Sequence, residues 1–279
     1  MRAGWNGAAA PVLEPLRAGD RLRLMLRGLW SGLVLLVLFA LYLLLWGLDR
    51  GLALVAGRRV TRMGPRVVQV WAALALPALG LAYRQRGEPI SGAGAFVANH
   101  SSWIDIVALQ RAAAPFLVSK AEVRAWPGIG LIGRAIGTMF IDRRPAAAKL
   151  QEAELLARLA RGDHMALFPE GTSSDGQRVL PFKSSLFGVF FAPALGGRVA
   201  VQPVTIHYRP APHLPREFYA WWGEMDFATH LRDVLARSVG GSVELVFHAP
   251  LEVARAAGRK DLAEAAGRAV RGELERLRG

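Results

Sequence analysis

The chain has 279 residues, 52% of them hydrophobic, and a mean hydropathy of +0.25, enough for one sizeable α/β domain plus an additional apolar element. It has no cysteine, which excludes disulfides, thiolate metal sites and a cysteine acyl-enzyme. The net charge of +13 directs it toward anionic partners such as phospholipid headgroups or acidic carriers, while the lack of any zinc-finger, RNP or helix-turn-helix pattern argues against nucleic acid.

The first predicted element is Gly28–Leu48, 21 uncharged residues between Arg27 and Asp49-Arg50, with Trp30 and Trp46 near its ends. As a helix it is about 30 Å long, the thickness of a bilayer's hydrocarbon core. A signal peptide would have a shorter apolar core and a small-residue cleavage site, so an uncleaved anchor fits better. A second apolar segment, Val67–Tyr83, is interrupted by Pro77. If both segments crossed the membrane, Arg50, Arg58, Arg59, Arg62 and Arg66 would be outside the cell, against the positive-inside tendency. The second segment is therefore expected in the membrane interface or packed on the globular domain. Residues 1–84 read as a membrane-anchoring region and 85–279 as one catalytic domain.

Beyond residue 84, short apolar runs alternate with helical patterns, which predicts an α/β fold with a mixed, largely parallel sheet flanked by helices. Strands are expected at Ala95–Ala98, Phe116–Ser119, Thr138–Ile141, Met165–Phe168, Val199–Tyr208 and Ser242–His248. Helices are expected at 146–161, 185–195, 226–237 and 261–278, with Asp261 as an N-cap. The aromatic run Tyr219–Phe227 reads as a core strand or as the wall of a lipid channel, and His164 and His230 read as surface residues.

Three strand ends carry chemistry. In "AFVANHSSWID" (Ala95–Asp105) an apolar strand ends on Asn99 and His100, and Asp105 falls in the first turn of a following helix. There the carboxylate can accept from one imidazole nitrogen and leave the other to take a proton. The same residues also fit a capping box, Ser102-x-x-Asp105. In "ALFPEGTSSDG" a strand runs into Glu170, Gly171 and Thr172, which read either as an ordinary Pro/Gly turn or as groups meeting substrate hydroxyls, with Gly171 permitting close approach. "GTMFIDRR" ends on Arg143 and Arg144, a solvated strand end or a guanidinium clamp for phosphate, and Lys183 is a further cation for the same acceptor.

Together these blocks resemble the glycerophospholipid acyltransferases of the 1-acylglycerol-3-phosphate acyltransferase type. "NHSSWID", "GTMFIDR", "FPEGT" and "VQPV" (Val201–Val204) match that family's four blocks in order, over roughly residues 95–208. The resemblance implies transfer of a fatty acyl group from acyl-CoA or acyl carrier protein to the hydroxyl of a lysolipid, with no other cofactor and no catalytic metal. His100 would be the general base and Asp105 its orienting partner. Arg143 would hold the acceptor's phosphate, and Glu170, Gly171 and Thr172 would line the acceptor site. Backbone N–H groups at the helix start are the expected oxyanion donors. The location implied is a bacterial inner membrane with the catalytic domain facing the cytoplasm.

The third block usually continues F-P-E-G-T-R, but here Ser173 takes the arginine's place, leaving Arg144, Arg178 or Lys183 to compensate. The leading acceptor is 1-acylglycerol-3-phosphate, and lyso-ornithine lipid, which lacks phosphate, is the alternative. A serine hydrolase would need G-x-S-x-G, which "GTSSDG" does not provide. A thioesterase, with His100 activating water, and a non-catalytic lipid-binding protein are the remaining readings.

Overall fold

The computed structural model describes residues 9–56, 63–142 and 144–279. Helix α1 spans Ala18–Ala56, 39 residues, and extends the expected apolar segment at both ends. Asp20 in its first turn accepts from the Arg17 N–H at 3.1 Å, closing the helix start. Its apolar side chains, among them Leu29, Leu33, Leu36 and Leu44, are exposed, and the helix is long and apolar enough to cross a membrane. It is not free of the rest of the protein. Near its start Arg23 donates to the Ala236 carbonyl, and Arg27 donates to the carbonyls of Leu235 at 3.1 Å and Ser238 at 2.6 Å.

Helix α2 (Met63–Ala78) packs along α1, ends just after Pro77, and buries Ala72 and Leu76 completely. The second apolar segment thus packs on the globular domain, and its last residues enter strand β1 (Leu81–Arg86). That strand pairs with the main sheet on both sides of residue 84, the boundary expected between anchor and domain.

The chain continues through β2 (Gly94–Ala98), α3 (Ile104–Ala113), β3 (Phe116–Lys120), α4 (Ile129–Ala135), β4 (Met139–Ile141), α5 (Pro145–Ala160) and β5 (His164–Leu167). There follow β6 (Ala200–Arg209), α6 (Phe227–Arg237), β7 (Gly241–Phe247), β8 (Leu251–Glu252) and α7 (Arg259–Arg278). Among the described residues the sheet has eight strands in the order β1-β7-β6-β2-β5-β3-β4, with β8 beside β6. Strands β6, β2, β5, β3 and β4 are mutually parallel, β7 and β8 are antiparallel to β6, and β1 is parallel to β7. Strand β2 (GAFVA) is buried at every position, because a central parallel strand is covered on both faces.

One face packs Phe96, Ile104, Leu109, Ile206 and Leu245 against α2, α3 and α6, and the other packs Val97, Met165, Phe187, Val201 and Leu262 against α5 and α7. The apolar stretch expected as a helix over 185–195 instead forms two 3-10 turns, Ser184–Phe191 and Pro193–Leu195. Pro193 lacks the N–H that an α-helix needs and breaks the run. Helix α7 starts at Arg259 rather than at Asp261, whose carboxylate instead reaches back to the Ala257 N–H at 3.1 Å. Tyr219–Phe227 contains no strand. His230 is buried rather than superficial: it accepts from Trp103 Nε1 at 2.9 Å, and burial lowers its pKa to about 4.

Candidate active site

Strands β2, β5 and β4 are parallel, so the polar turns that follow them lie at one edge of the sheet, where open α/β folds bind ligands. Strand β2 ends at Ala98 because Asn99 replaces the next rung of the ladder with its side chain. Asn99 Nδ2 donates to the Ile206 carbonyl at 2.9 Å, and the Ile206 N–H donates to Asn99 Oδ1 at 2.8 Å. The amide thus stands in for a peptide group, which frees the main chain to turn at His100 without orphaning β6.

His100 sits in that turn with 20% of its side chain exposed, and Asp105 lies behind it, fully buried. His100 Nδ1 is 2.8 Å from Asp105 Oδ2. The same oxygen accepts from the N–H groups of Ser101 at 2.8 Å and Ser102 at 2.9 Å, while the Ser102 hydroxyl accepts from the Ile104 N–H at 3.2 Å. Only the carboxylate half of the capping box forms, since the Asp105 N–H bonds the Ser102 carbonyl rather than its hydroxyl, and the carboxylate that accepts from the Ser102 N–H also holds the imidazole. Since Oδ2 only accepts, Nδ1 carries the proton, and Nε2, which has no hydrogen-bond partner among the described residues, can accept one. The ring lies stacked on Phe168, centroids 4.1 Å apart and planes 19° apart.

The same hydrogen bonds change the expectation for the oxyanion. The N–H groups of Ser101 and Ser102 donate to Asp105 Oδ2, and those of Ile104 and Asp105 donate to the hydroxyl and carbonyl of Ser102, so these four groups at the start of α3 are engaged within the turn.

Glu170 is buried, with 2% exposure. Its Oε1 accepts from the His100 N–H at 2.7 Å and its Oε2 from the Leu180 N–H at 2.8 Å. It ties the turn after β5 to the turn after β2. Burial pushes its pKa up to about 8, opposed by those two N–H groups. The Ser174 N–H donates to the His100 carbonyl at 2.9 Å and the Trp221 N–H to the Ser101 carbonyl at 2.7 Å, so the backbone of the histidine turn is held at both ends. Beside it, Trp126, Trp221 and Phe227 form a ring cluster with Trp103.

Gly171 has φ +70°, in the left-handed region, and a Cβ there would fall 2.5 Å from Lys183 Nζ. The Lys183 N–H donates to the Pro169 carbonyl at 2.9 Å, and its ammonium lies beside Gly171. Thr172 is partly exposed in that turn, with its hydroxyl 3.5 Å from the Ser173 carbonyl. Arg143 lies outside the described residues. Arg144 is 81% exposed and pairs with Asp142 at 2.6 Å, and Arg178 pairs with Asp175 at 3.2 Å. Lys183 therefore sets a cation beside this turn, next to the position where Ser173 replaces the usual arginine.

The fourth block does not reach the edge. Gln202 is buried, donates to the carbonyls of Glu88 and His248, both at 2.9 Å, and accepts from the Ile90 N–H at 2.9 Å. It fastens two connecting loops to β6. The sequence names Asn99 only as the end of a strand, and gives no sign of the roles of Phe168 or of Tyr208, whose hydroxyl lies 2.6 Å from Asp105 Oδ1. Asn99 stands next to the histidine, but Tyr208 is 103 residues from Asp105, and no spacing rule connects them.

The family model described as Acyltransferase matches residues 82–207. A lyso-ornithine lipid O-acyltransferase from Rhodobacter capsulatus is 43% identical over 267 residues, covering 96% of this chain and 95% of the relative. The chain belongs to the glycerophospholipid acyltransferase family. This acyltransferase is also 38% identical to a 1-acyl-sn-glycerol-3-phosphate acyltransferase from Neisseria gonorrhoeae, over 92 residues that cover 32% of this chain and 36% of that one. Its fold matches the crystal structure of the 1-acyl-sn-glycerophosphate (LPA) acyltransferase PlsC from Thermotoga maritima with a TM-score of 0.61 at 21% identity, covering 93% of this chain and 98% of that one. The enzyme acylates lysolipids.

Proposed function

We propose that the enzyme transfers a fatty acyl group from a thioester of coenzyme A or acyl carrier protein to the free hydroxyl of lyso-ornithine lipid. The observation that carries the chemistry is the His100–Asp105 pair with Nε2 left open at the sheet edge. Nε2 takes the hydroxyl proton as the oxygen attacks the thioester carbonyl, and the tetrahedral oxyanion then collapses, breaking the C–S bond. The departing thiolate receives the proton from the imidazolium, leaving an ester and a free thiol. A positioned base of this kind contributes about 10²–10⁴-fold. The thioester already holds the energy and the leaving group, so the reaction needs no further cofactor.

Two observations favour lyso-ornithine lipid over 1-acylglycerol-3-phosphate, which the sequence reading put first. Ser173 stands where a phosphate-gripping arginine is usual, and Arg144 and Arg178 are paired elsewhere. The relative matched along nearly its whole length is named for lyso-ornithine lipid, while the match to the 1-acyl-sn-glycerol-3-phosphate enzyme spans a third of the chain. Charge counting alone does not orient the chain, but Arg23 and Arg27 reach carbonyls at the end of α6, so the basic start of α1 lies on the same side of the membrane as the catalytic domain, which favours the cytoplasmic side of the inner membrane.

The test is an acceptor panel with the purified full chain and a radiolabelled acyl thioester. The reading expects label in ornithine lipid, a higher kcat/KM for lyso-ornithine lipid than for lysophosphatidic acid, and no transfer by His100→Ala. A preference for lysophosphatidic acid would return the phosphate-bearing acceptor to first place, and free fatty acid as sole product would make the protein a thioesterase.

A further inference from the structure

Asp105 is surrounded by four donors, and three of them converge on one oxygen: the Ser101 and Ser102 N–H groups and His100 Nδ1 all meet Oδ2. Oδ1 has a single donor among the described residues, the Tyr208 hydroxyl at 2.6 Å. We propose that Tyr208 is a positioning residue for acyl transfer, holding Oδ1 so that Oδ2 stays in line with the histidine, and sharing the carboxylate's charge as the imidazolium forms and discharges. This rests on the reading of His100 as the general base.

Three features carry the proposal. The contact is as short as a hydrogen bond to an ionised oxygen should be, and it lies behind a buried acid, where the low local dielectric strengthens it. The tyrosine arrives on β6, the strand that Asn99 ties to the histidine turn through Ile206, so the hydroxyl and the imidazole are referenced to one rigid element. Its ring packs on Tyr219, centroids 5.6 Å apart, and the Tyr219 hydroxyl is bonded to Ser238 Oγ at 2.7 Å, which limits where the Tyr208 ring can go. Burial, and next the charge of Asp105, hold the Tyr208 phenol well above its ordinary pKa, so it remains a donor and does not itself relay the proton. The titratable groups facing Asp105 are His100, Tyr208 and, by its field, Glu170, with Tyr219 behind Tyr208.

Tyr208→Phe keeps the ring and deletes the donor. The proposal expects kcat to fall about tenfold, the loss usual for one hydrogen bond to a charged group, with KM for the acceptor little changed. It also expects a shift that packing alone would not cause. Without the phenol, more negative charge stays on Asp105 and the imidazole holds its proton more tightly, so the acid limb of kcat/KM moves to higher pH. Tyr219→Phe, which removes a neighbouring hydroxyl that does not touch Asp105, leaves that limb in place. The pH midpoint of His100 modification by diethyl pyrocarbonate, taken as the difference from His100→Ala, moves upward in Tyr208→Phe without requiring turnover. If His100→Ala is inactive while Tyr208→Phe shows an unmoved limb and midpoint, Tyr208 is only packing and the proposal falls, whatever the variant's stability. If His100→Ala turns over normally, the base reading fails first and the proposal with it.

Discussion

Glu170 ties the histidine turn to the turn after β5 through its carboxylate. Its two oxygens hold the N–H groups of His100 and Leu180, and it is almost wholly buried. Glu170→Gln keeps the shape but sets an amide NH₂ against one of those N–H groups. Leaving a buried donor unmet costs about 1–3 kcal/mol. The expected result is a lower melting temperature together with a large fall in kcat, because the backbone that carries the imidazole loses a tether. Thermal unfolding and initial rates on one preparation check this, and wild-type values for both would show the carboxylate to be dispensable. The motif "FPEGT" marked Glu170 in the sequence, but not which way it faces. Direction depends on Leu180 and His100 arriving on either side, 10 and 70 residues away.

At the scale of elements, an ionic cluster joins β1, β7 and α7. Arg86 on β1 donates to Glu244 on β7 at 2.7 Å and to Glu273 on α7, and Arg276 donates to Glu273 at 2.6 Å. These bonds, Arg276 first, hold Glu273 down to about 2 from an ordinary 4.5. A carboxyl depressed by folding stabilises the protein above its unfolded pKa, and that stability is lost as pH falls from about 4.5 toward 2. The arginines are well exposed, so solvent screening reduces the effect to about 1 kcal/mol. The gap in melting temperature between wild type and Glu273→Gln should therefore be present at pH 6 and shrink by pH 3. A gap that stays constant would show the cluster to be decorative. The sequence placed β7 and α7 within a few residues but overlooked β1, whose strand LAYRQR follows directly on an apolar helix and lacks strong β-branched character.

Taken whole, the molecule combines a catalytic domain with an apolar helix that is fastened to it at two levels. Arg23 and Arg27 meet the carbonyls at the C-terminal end of α6, where a helix accepts positive charge, and further along α1 the Tyr42 hydroxyl donates to the Ala135 carbonyl of α4 at 2.7 Å. The leucines of α1 stay exposed, which in water would be an unusually large apolar face. Leu36→Asp combined with Leu44→Asp should shift the protein from floating with phospholipid vesicles to the soluble fraction, since each charge costs about 2.5–3.5 kcal/mol in a bilayer interior. Unchanged flotation would show that the membrane is met by some other surface.

By itself the sequence determined the apolar helix and the alternation of strands and helices, because each is written in spacing within a few residues: uninterrupted apolar length and hydrophobic period; it placed Asp105 within a helical turn of reach of His100 but left the capping box as an equally local reading. Only the tertiary structure decided that α2 packs on the domain, that Glu170 faces backbone rather than open space, and that Tyr208 reaches Asp105. Those outcomes depend on which strands become neighbours, and pairing between distant segments is set by the burial of the whole sheet, not by any local pattern.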